Sequence, residues 1–254
     1  PNPKPQTPNP KPQTPKLGGK IIIQKMMTTQ EGISNDFLEL KLLQKPIWLM
    51  TYRQKSFTLE MLEHINKALD YLDAQPGELG LITTSNHPAI FSAGIDFSVF
   101  GHDLGYTMSY LMHLQRLFAR FLSLSYPTVA AINGHAIAAG IMIAMCHDFR
   151  VQRNDLGTIC LNEINMGKPI ARGMLTLIKE KVPHQTMKML AMFGHKFTPE
   201  ESLRGNLVDK LVPKDKLIED AVNILEPLVE KSSARESFSQ IKSELNKASI
   251  EAAL

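Results

Sequence analysis

Two hydrophobic rhythms alternate from about residue 36 onward. Phe37 to Leu43 and Pro46 to Tyr52 are apolar, partly alternating runs joined by a short polar turn, and they predict paired strands. Behind Thr58, an N-cap residue followed by Glu60 and Met61, Leu59, Leu62, Ile65, Leu69 and Leu72 recur at helical spacing. Gly77 to Gly80 is a turn, Leu81 to Thr84 a strand, and Phe91 to Asp96 a second strand-like run ending in small residues. Tyr106 to Leu124 is a further amphipathic helix, with Leu111, Leu114, Phe118 and Phe121 on one face. Thr128 to Ile132 has the β-branched composition of a buried strand. Asn133-Gly134 is turn chemistry, with Gly134 able to take positive φ. Ala136 to Met145 is small, then apolar, and uncharged, which predicts a helix buried on all sides.

Beyond it, His147 to Gln152 and Thr158 to Leu161 predict strands around an Arg153-Asn154-Asp155 turn, the second ending at Asn162-Glu163. Pro169 to Lys181 and Pro183 to Phe193 predict helices. Thr198-Pro199-Glu200-Glu201 opens another, with an N-cap, proline at the first helical position and two early acids. Asn206 to Val212 predicts a short strand and turn, and Lys214 to Lys231 and Ser233 to Ala253 two last helices. Strands and helices alternating to about residue 195 indicate an α/β fold with crossovers. The helical end has the character of an assembly or lid segment.

Residues 1–34 are different. Pro-Asn-Pro-Lys-Pro-Gln-Thr occurs twice in tandem, and such a proline-rich, apolar-poor stretch cannot pack a core. It reads as a linker, an extended tail or a targeting remnant, with Met26 and Met27 as possible native starts. In the 254-residue chain 43% of residues are hydrophobic and 21% charged, an ordinary globular balance, and the net charge of +3 gives no argument for nucleic acid. The run from Thr128 to Cys146 is interrupted by Asn133-Gly134-His135, so no membrane span is expected. Cys146 and Cys160 have no metal-ligand spacing, so no metal site is expected.

Chemistry concentrates in two turns and one acid. The Phe91-Ser92-Ala93-Gly94-Ile95-Asp96 turn and the Ala138-Ala139-Gly140 turn each follow a strand-like run. Two such turns suggest two backbone N–H groups converging on one oxygen. Glu163 sits between apolar Leu161 and Ile164, where an apolar setting would raise a carboxylate pKa and suit it to proton transfer. Each feature has a plainer reading by itself: a surface glutamate, small residues for close helix packing, common Gly-Asp turn chemistry. His135 is more simply satisfied by backbone than catalytic, and His147 needs only the end of a helix to explain it. No phosphate loop or dinucleotide fingerprint is present.

Taken in order, Phe91–Asp96, Tyr126–Gly134, Cys146-His147-Asp148-Phe149-Arg150 and Thr198–Val212 resemble the crotonase, or enoyl-CoA hydratase/isomerase, superfamily over about residues 36–230. The resemblance implies a crotonase-like ββα spiral core (35–195) after a low-complexity tail (1–34), with a C-terminal α-helical trimerisation region (196–254). It implies that the backbone N–H groups of Ile95 and Ala139 hold a thioester oxygen, that Glu163 transfers the proton, and that Ser92, Ala93, Gly94, Asp96, Gly140 and Met142 contact substrate. Family hydratases carry two glutamates; here the first position is Met142 and only the second, Glu163, is acidic.

One carboxylate suffices for a double-bond shift. The similarity is therefore closest to monofunctional Δ3,Δ2-enoyl-CoA isomerases, especially the plant-type branch, acting on an acyl-CoA thioester in fatty-acid β-oxidation with no further cofactor. A mitochondrial matrix or peroxisomal location and a homotrimer or hexamer are implied with it, although Glu251-Ala252-Ala253-Leu254 is not the Ser-Lys-Leu address. Two other readings stand beside it. The proline-rich N-terminus and the altered turns would suit a crotonase-fold structural subunit of a larger assembly that has lost its chemistry. Thioester hydrolysis or decarboxylation would need a second group to orient water.

Overall fold

The computed structural model describes residues 32–254. The tandem proline-rich repeat and Met26 and Met27 lie outside the described residues. Residues 32–254 form one compact body. It opens on strand β1 (Gly32–Ser34), inside the span expected as tail, which pairs antiparallel with β2 (Leu38–Gln44).

The main sheet has seven strands. After β1 and β2 come β3 (Ile47–Tyr52), β5 (Gly80–Ser85), β8 (Thr128–Ile132), β10 (Phe149–Arg153) and β12 (Lys210–Val212), hydrogen-bonded in that order. The β1-β2-β3 end is antiparallel and the remaining pairings are parallel. The β5 and β8 strands are buried on both faces, which explains their unbroken apolar and threonine runs. A smaller parallel sheet stacks β6 (Ile90–Ser92), β9 (His135–Ile137) and β11 (Ile159–Cys160), and β4 (Ser56–Phe57) pairs with β7 (Gly94–Ile95). Strand pairs feeding helices, turn upon turn, form a spiral core of the kind the sequence resemblance implies.

Helix α1 (Leu59–Asp73) begins at Thr58, whose hydroxyl accepts the Met61 N–H, and buries Leu62, Ile65, Leu69 and Leu72. Helix α2 (Leu104–Phe121) is capped by Asp103 and buries Leu114, Phe118 and Phe121. Every residue of α3 (Ala139–Met145) is buried. That helix is shorter than expected, because Ala136 and Ile137 belong to β9 and Ala138, at φ 50°, cannot continue a helix. Gly134 does not use positive φ; a Cβ there would fall 2.2 Å from the Ala89 carbonyl carbon, so it serves close approach of two backbones.

Later come α4 (Arg172–Lys181), α5 (His184–Met187) with a π turn over Lys188–Met192, and α6 (Pro199–Arg204), which carries the full capping box between Thr198 and Glu201. The helix expected over Lys214–Lys231 is only α7 (Leu217–Leu225), since Pro227 follows and its ring cannot sit inside a helix. The last expected helix divides at Asn246 into α8 (Arg235–Leu245) and α9 (Lys247–Ala253). Helix α9 packs on α4 and α2, so the C-terminal helices close over the same body as the spiral. Among the described residues no helix is long and apolar enough to cross a membrane.

Candidate active site

The first turn is fixed by short strands. Residues 94 and 95 pair with Ser56 and Phe57; the Ala93 N–H donates to the Lys55 carbonyl (2.7 Å) and the Asp96 N–H to that of Phe57 (3.2 Å). The Ser92 hydroxyl donates to the Lys55 carbonyl and accepts from the Gly94 N–H at 3.1 Å. Asp96 caps a 3-10 turn, Phe97–Gly101, accepting from the Ser98 N–H at 2.8 Å, and that bond holds its carboxyl below the ordinary value. Ser92 and Asp96, expected as substrate contacts, thus build the turn.

The second turn lies against the first. Ala138 has φ 50° and ψ −121°, and its N–H donates to the Cys160 carbonyl (2.9 Å). Ala139 and Gly140 open α3, where the first N–H groups have no intrahelical acceptor. A Cβ on Gly140 would lie 2.4 Å from the Ser92 carbonyl oxygen, so this glycine lets α3 seat on β6. Met142 is fully buried inside α3. Neither Gly140 nor Met142 is among the residues lining the cavity described below; both pack inside the fold.

Glu163 arrives by the third strand of the small sheet. β11 aligns Ile159 with Ala136 and Cys160 with Ile137, so the acid's approach is tied to the second turn. Leu161 is buried, and Glu163 then starts a 3-10 turn, its carbonyl accepting the N–H groups of Met166 (3.1 Å) and Lys168 (2.9 Å). The carboxylate atom Oε2 is buried without a hydrogen-bond partner. Burial raises the Glu163 pKa, against a smaller opposite pull from the Glu163 and Asn162 backbone.

Ala93, Ile95, Ala138 and Glu163 meet at one cavity of about 340 Å³. Among the described residues Glu163 is the one carboxylate in its lining. The remaining wall is apolar, from Phe97, Phe100, Met108, Met166, Ile170 and Met174, with Lys168 placing its ammonium 5.4 Å from the Phe100 ring centroid. These wall residues were not legible from sequence. Phe97 and Phe100 belong to a 3-10 turn without amphipathic period, and Met108 lies off the buried face of α2. The paired aromatics directly after the Asp96 cap are the signal that could have marked them.

His135 is a structural residue: its Nδ1 accepts from the Thr158 N–H (3.0 Å) and meets the Thr158 hydroxyl (2.9 Å). His147 is fully buried, Nδ1 against the Ile143 carbonyl and Nε2 against the Thr83 hydroxyl, each at 2.9 Å. Burial lowers its pKa to about 4, so it caps α3 as a neutral donor and not as a cation.

A family profile described as enoyl-CoA hydratase/isomerase matches residues 44–253. The chain belongs to the enoyl-CoA hydratase/isomerase family. Within that family it is 31% identical over 172 residues to the mitochondrial enoyl-CoA delta isomerase 1 of Mus musculus, a match covering 67% of this chain and only 60% of the length of the mouse enzyme. It is 27% identical over 197 residues to enoyl-CoA delta isomerase 3 of Arabidopsis thaliana, covering 74% of this chain and 82% of that one. The crystal structure of human mitochondrial delta3-delta2-enoyl-CoA isomerase superposes with a TM-score of 0.75 at 24% identity, covering 81% of each chain, and so shares the crotonase fold.

Proposed function

We propose that this chain catalyses the shift of a 3-enoyl-CoA double bond to the trans-2 position. The observation that carries the reading is the Glu163 carboxylate: partly buried, unpaired at Oε2, and the single acid on an apolar cavity that it shares with Ile95 and Ala138. In the proposed mechanism Glu163 takes a proton from C2. The dienolate charge builds on the thioester oxygen, held by the N–H groups of Ile95 and Ala139. Glu163 then returns the proton at C4. Each N–H donor would supply about 3 kcal/mol toward the charged intermediate. One group serving as base and then acid needs a pKa lifted toward neutrality, the direction in which burial moves Glu163.

Hydration would need a second group to position water. Met142, at the place the family resemblance gives to the hydratases' other glutamate, is a buried thioether that holds no proton. The walled cavity and the desolvated acid also favour an enzyme over a subunit kept only for its fold. The location is proposed as mitochondrial or peroxisomal, in keeping with the names of the relatives.

The test is an assay of purified protein with 3-hexenoyl-CoA, following the conjugated thioester, beside Glu163→Gln. Turnover in the wild type with loss of about 10²-fold or more in the variant supports the reading. Absence of turnover in both, for short and long acyl chains alike, removes it.

A further inference from the structure

The cavity at Glu163 is open at one wall, and the apolar surface of that wall continues outside it. Phe97 and Met108 line the cavity yet are 58% and 52% exposed. Leu104, one turn before Met108 on α2, is 76% exposed and lies beyond the lining. Leu104, Met108 and Met112 recur every four residues, so they share one face of the helix over about 12 Å of its length. The wall is tied together and to the first turn. The Thr107 hydroxyl donates to the Val99 carbonyl (3.1 Å), joining α2 to the turn that carries Phe97 and Phe100, whose ring centroids are 6.2 Å apart. The Tyr110 hydroxyl donates to the Phe57 carbonyl (2.5 Å), joining α2 to β4.

The stretch is nearly free of charge. From Phe97 to Met112 there is no lysine or arginine and one acid, Asp103, whose carboxylate caps α2 by accepting the Tyr106 N–H (2.9 Å). An anionic membrane surface would therefore meet no cation here. The C-terminal helices reach α2 further along, where a Cβ on Gly173 would fall 2.4 Å from Gln115 Oε1 and 2.7 Å from the Ala252 carbonyl oxygen. The start of α2 lies outside that packing.

We propose that the acyl tail of the substrate leaves the cavity between Phe97 and Met108 and lies along Leu104, Met108 and Met112, so that the site selects long acyl chains over short ones. The inference rests on the acyl-CoA reading of the cavity. Its argument is continuity: a chain that fills the cavity meets the stripe without a break, because Met108 belongs to both. The tail covers apolar surface that water otherwise meets, and the flexible thioethers of Met108 and Met112 adapt to its path.

The test is calorimetric titration of the full-length protein with hexanoyl-CoA and decanoyl-CoA, saturated thioesters that bind without reacting. A fully buried methylene strengthens binding about fourfold, so four more, half covered, should favour decanoyl-CoA about tenfold or more. Leu104→Gln, at an exposed position, should cut that preference about fivefold, while Leu104→Met keeps it. In turnover the same preference should separate 3-decenoyl-CoA from 3-hexenoyl-CoA through KM more than through kcat. Preference for decanoyl-CoA without turnover of either enoyl-CoA would uphold the tail path and remove the isomerase alone. Equal affinities for the two thioesters, or a preference indifferent to Leu104→Gln, would overturn the tail path and leave the isomerase standing. Binding of neither thioester would remove the acyl-CoA reading and this inference with it. An oligomer that Leu104→Gln dissociates, with equal affinities for the two thioesters, would give the stripe to a second copy of the chain.

Discussion

Gly94 and Ala139 meet backbone against backbone: a Cβ on Gly94 would stand 3.1 Å from the Ala139 nitrogen and 2.7 Å from the Ile137 carbonyl oxygen. Gly94 also has φ 87°, a conformation L side chains rarely adopt. The absence of a side chain at residue 94 therefore sets the distance between the two turns that carry the proposed oxyanion donors. Gly94→Ala should lower the thermal midpoint, with strain of roughly 1–3 kcal/mol. Because the Ile95 and Ala139 amides would part, turnover of 3-hexenoyl-CoA should drop by about a hundredfold, more in kcat than in KM. An unchanged midpoint would show that the turns can separate without cost.

Glu163 gives a stability prediction with a definite sign. Burial raises its pKa above the ordinary 4.5, so between the two values the folded chain binds more proton than the unfolded chain. Stability therefore falls as pH rises through that window, and the ionised acid at neutral pH is a liability to the fold. Glu163→Gln should raise stability at pH 7 and make little difference below about pH 4, where both states carry the protonated acid. Urea unfolding at the two pH values measures this. The pH profile of turnover is coupled to it: the acidic limb should lie above the ordinary carboxylate range. A variant less stable than wild type at pH 7 would mean that the carboxylate has partners in solution that its buried Oε2 lacks in the structure.

How much of this was legible in the sequence differs from element to element. The α1 stripe of Leu62, Ile65, Leu69 and Leu72 and the Thr58 and Thr198 caps were readable, because amphipathic period and cap chemistry are local signals. The stretch from Ala136 to Met145 was not, because buried residues on every side leave no period to separate β9 from α3. Pro227, which stops α7, is a local signal masked by the helical pattern on either side of it. Glu163 drew attention through its apolar neighbours, but the plainer reading of a surface glutamate stood ahead of it until the family resemblance was added. Which residues share its cavity was not legible, since Phe97, Met108 and Met174 converge only through tertiary packing.

His147 should make the fold acid-sensitive. Its folded pKa of about 4 lies below the ordinary 6.5, so the unfolded chain binds the extra proton as pH falls between them. The stability it protects is whole above about pH 6.5 and is lost toward pH 4, roughly 3 kcal/mol in all. His147→Gln removes the titrating group. It should cost stability at pH 7, where the bonds to Ile143 and Thr83 are weakened, yet show a shallower loss than wild type between pH 6.5 and 4. Parallel slopes for the two proteins would mean that His147 is not buried in its neutral form.

Ala138 holds the opposite opportunity. At φ 50° and ψ −121° it occupies a conformation that suits glycine, at the point where β9 turns into α3. Relief of that strain by Ala138→Gly is worth roughly 1–3 kcal/mol, against about 0.4–1 kcal/mol lost because glycine frees the unfolded chain. The larger effect favours the variant, so its thermal midpoint should rise. The same change removes a methyl group from the cavity wall that Ala138 shares with Glu163. It should widen the space near the acid and alter KM for the acyl-CoA more than kcat, because the Ala139 N–H and the Glu163 carboxylate keep their places. A lower midpoint would show that the turn is held in this conformation by the Ala138 methyl packed beside Gly94, and that its contact outweighs the strain.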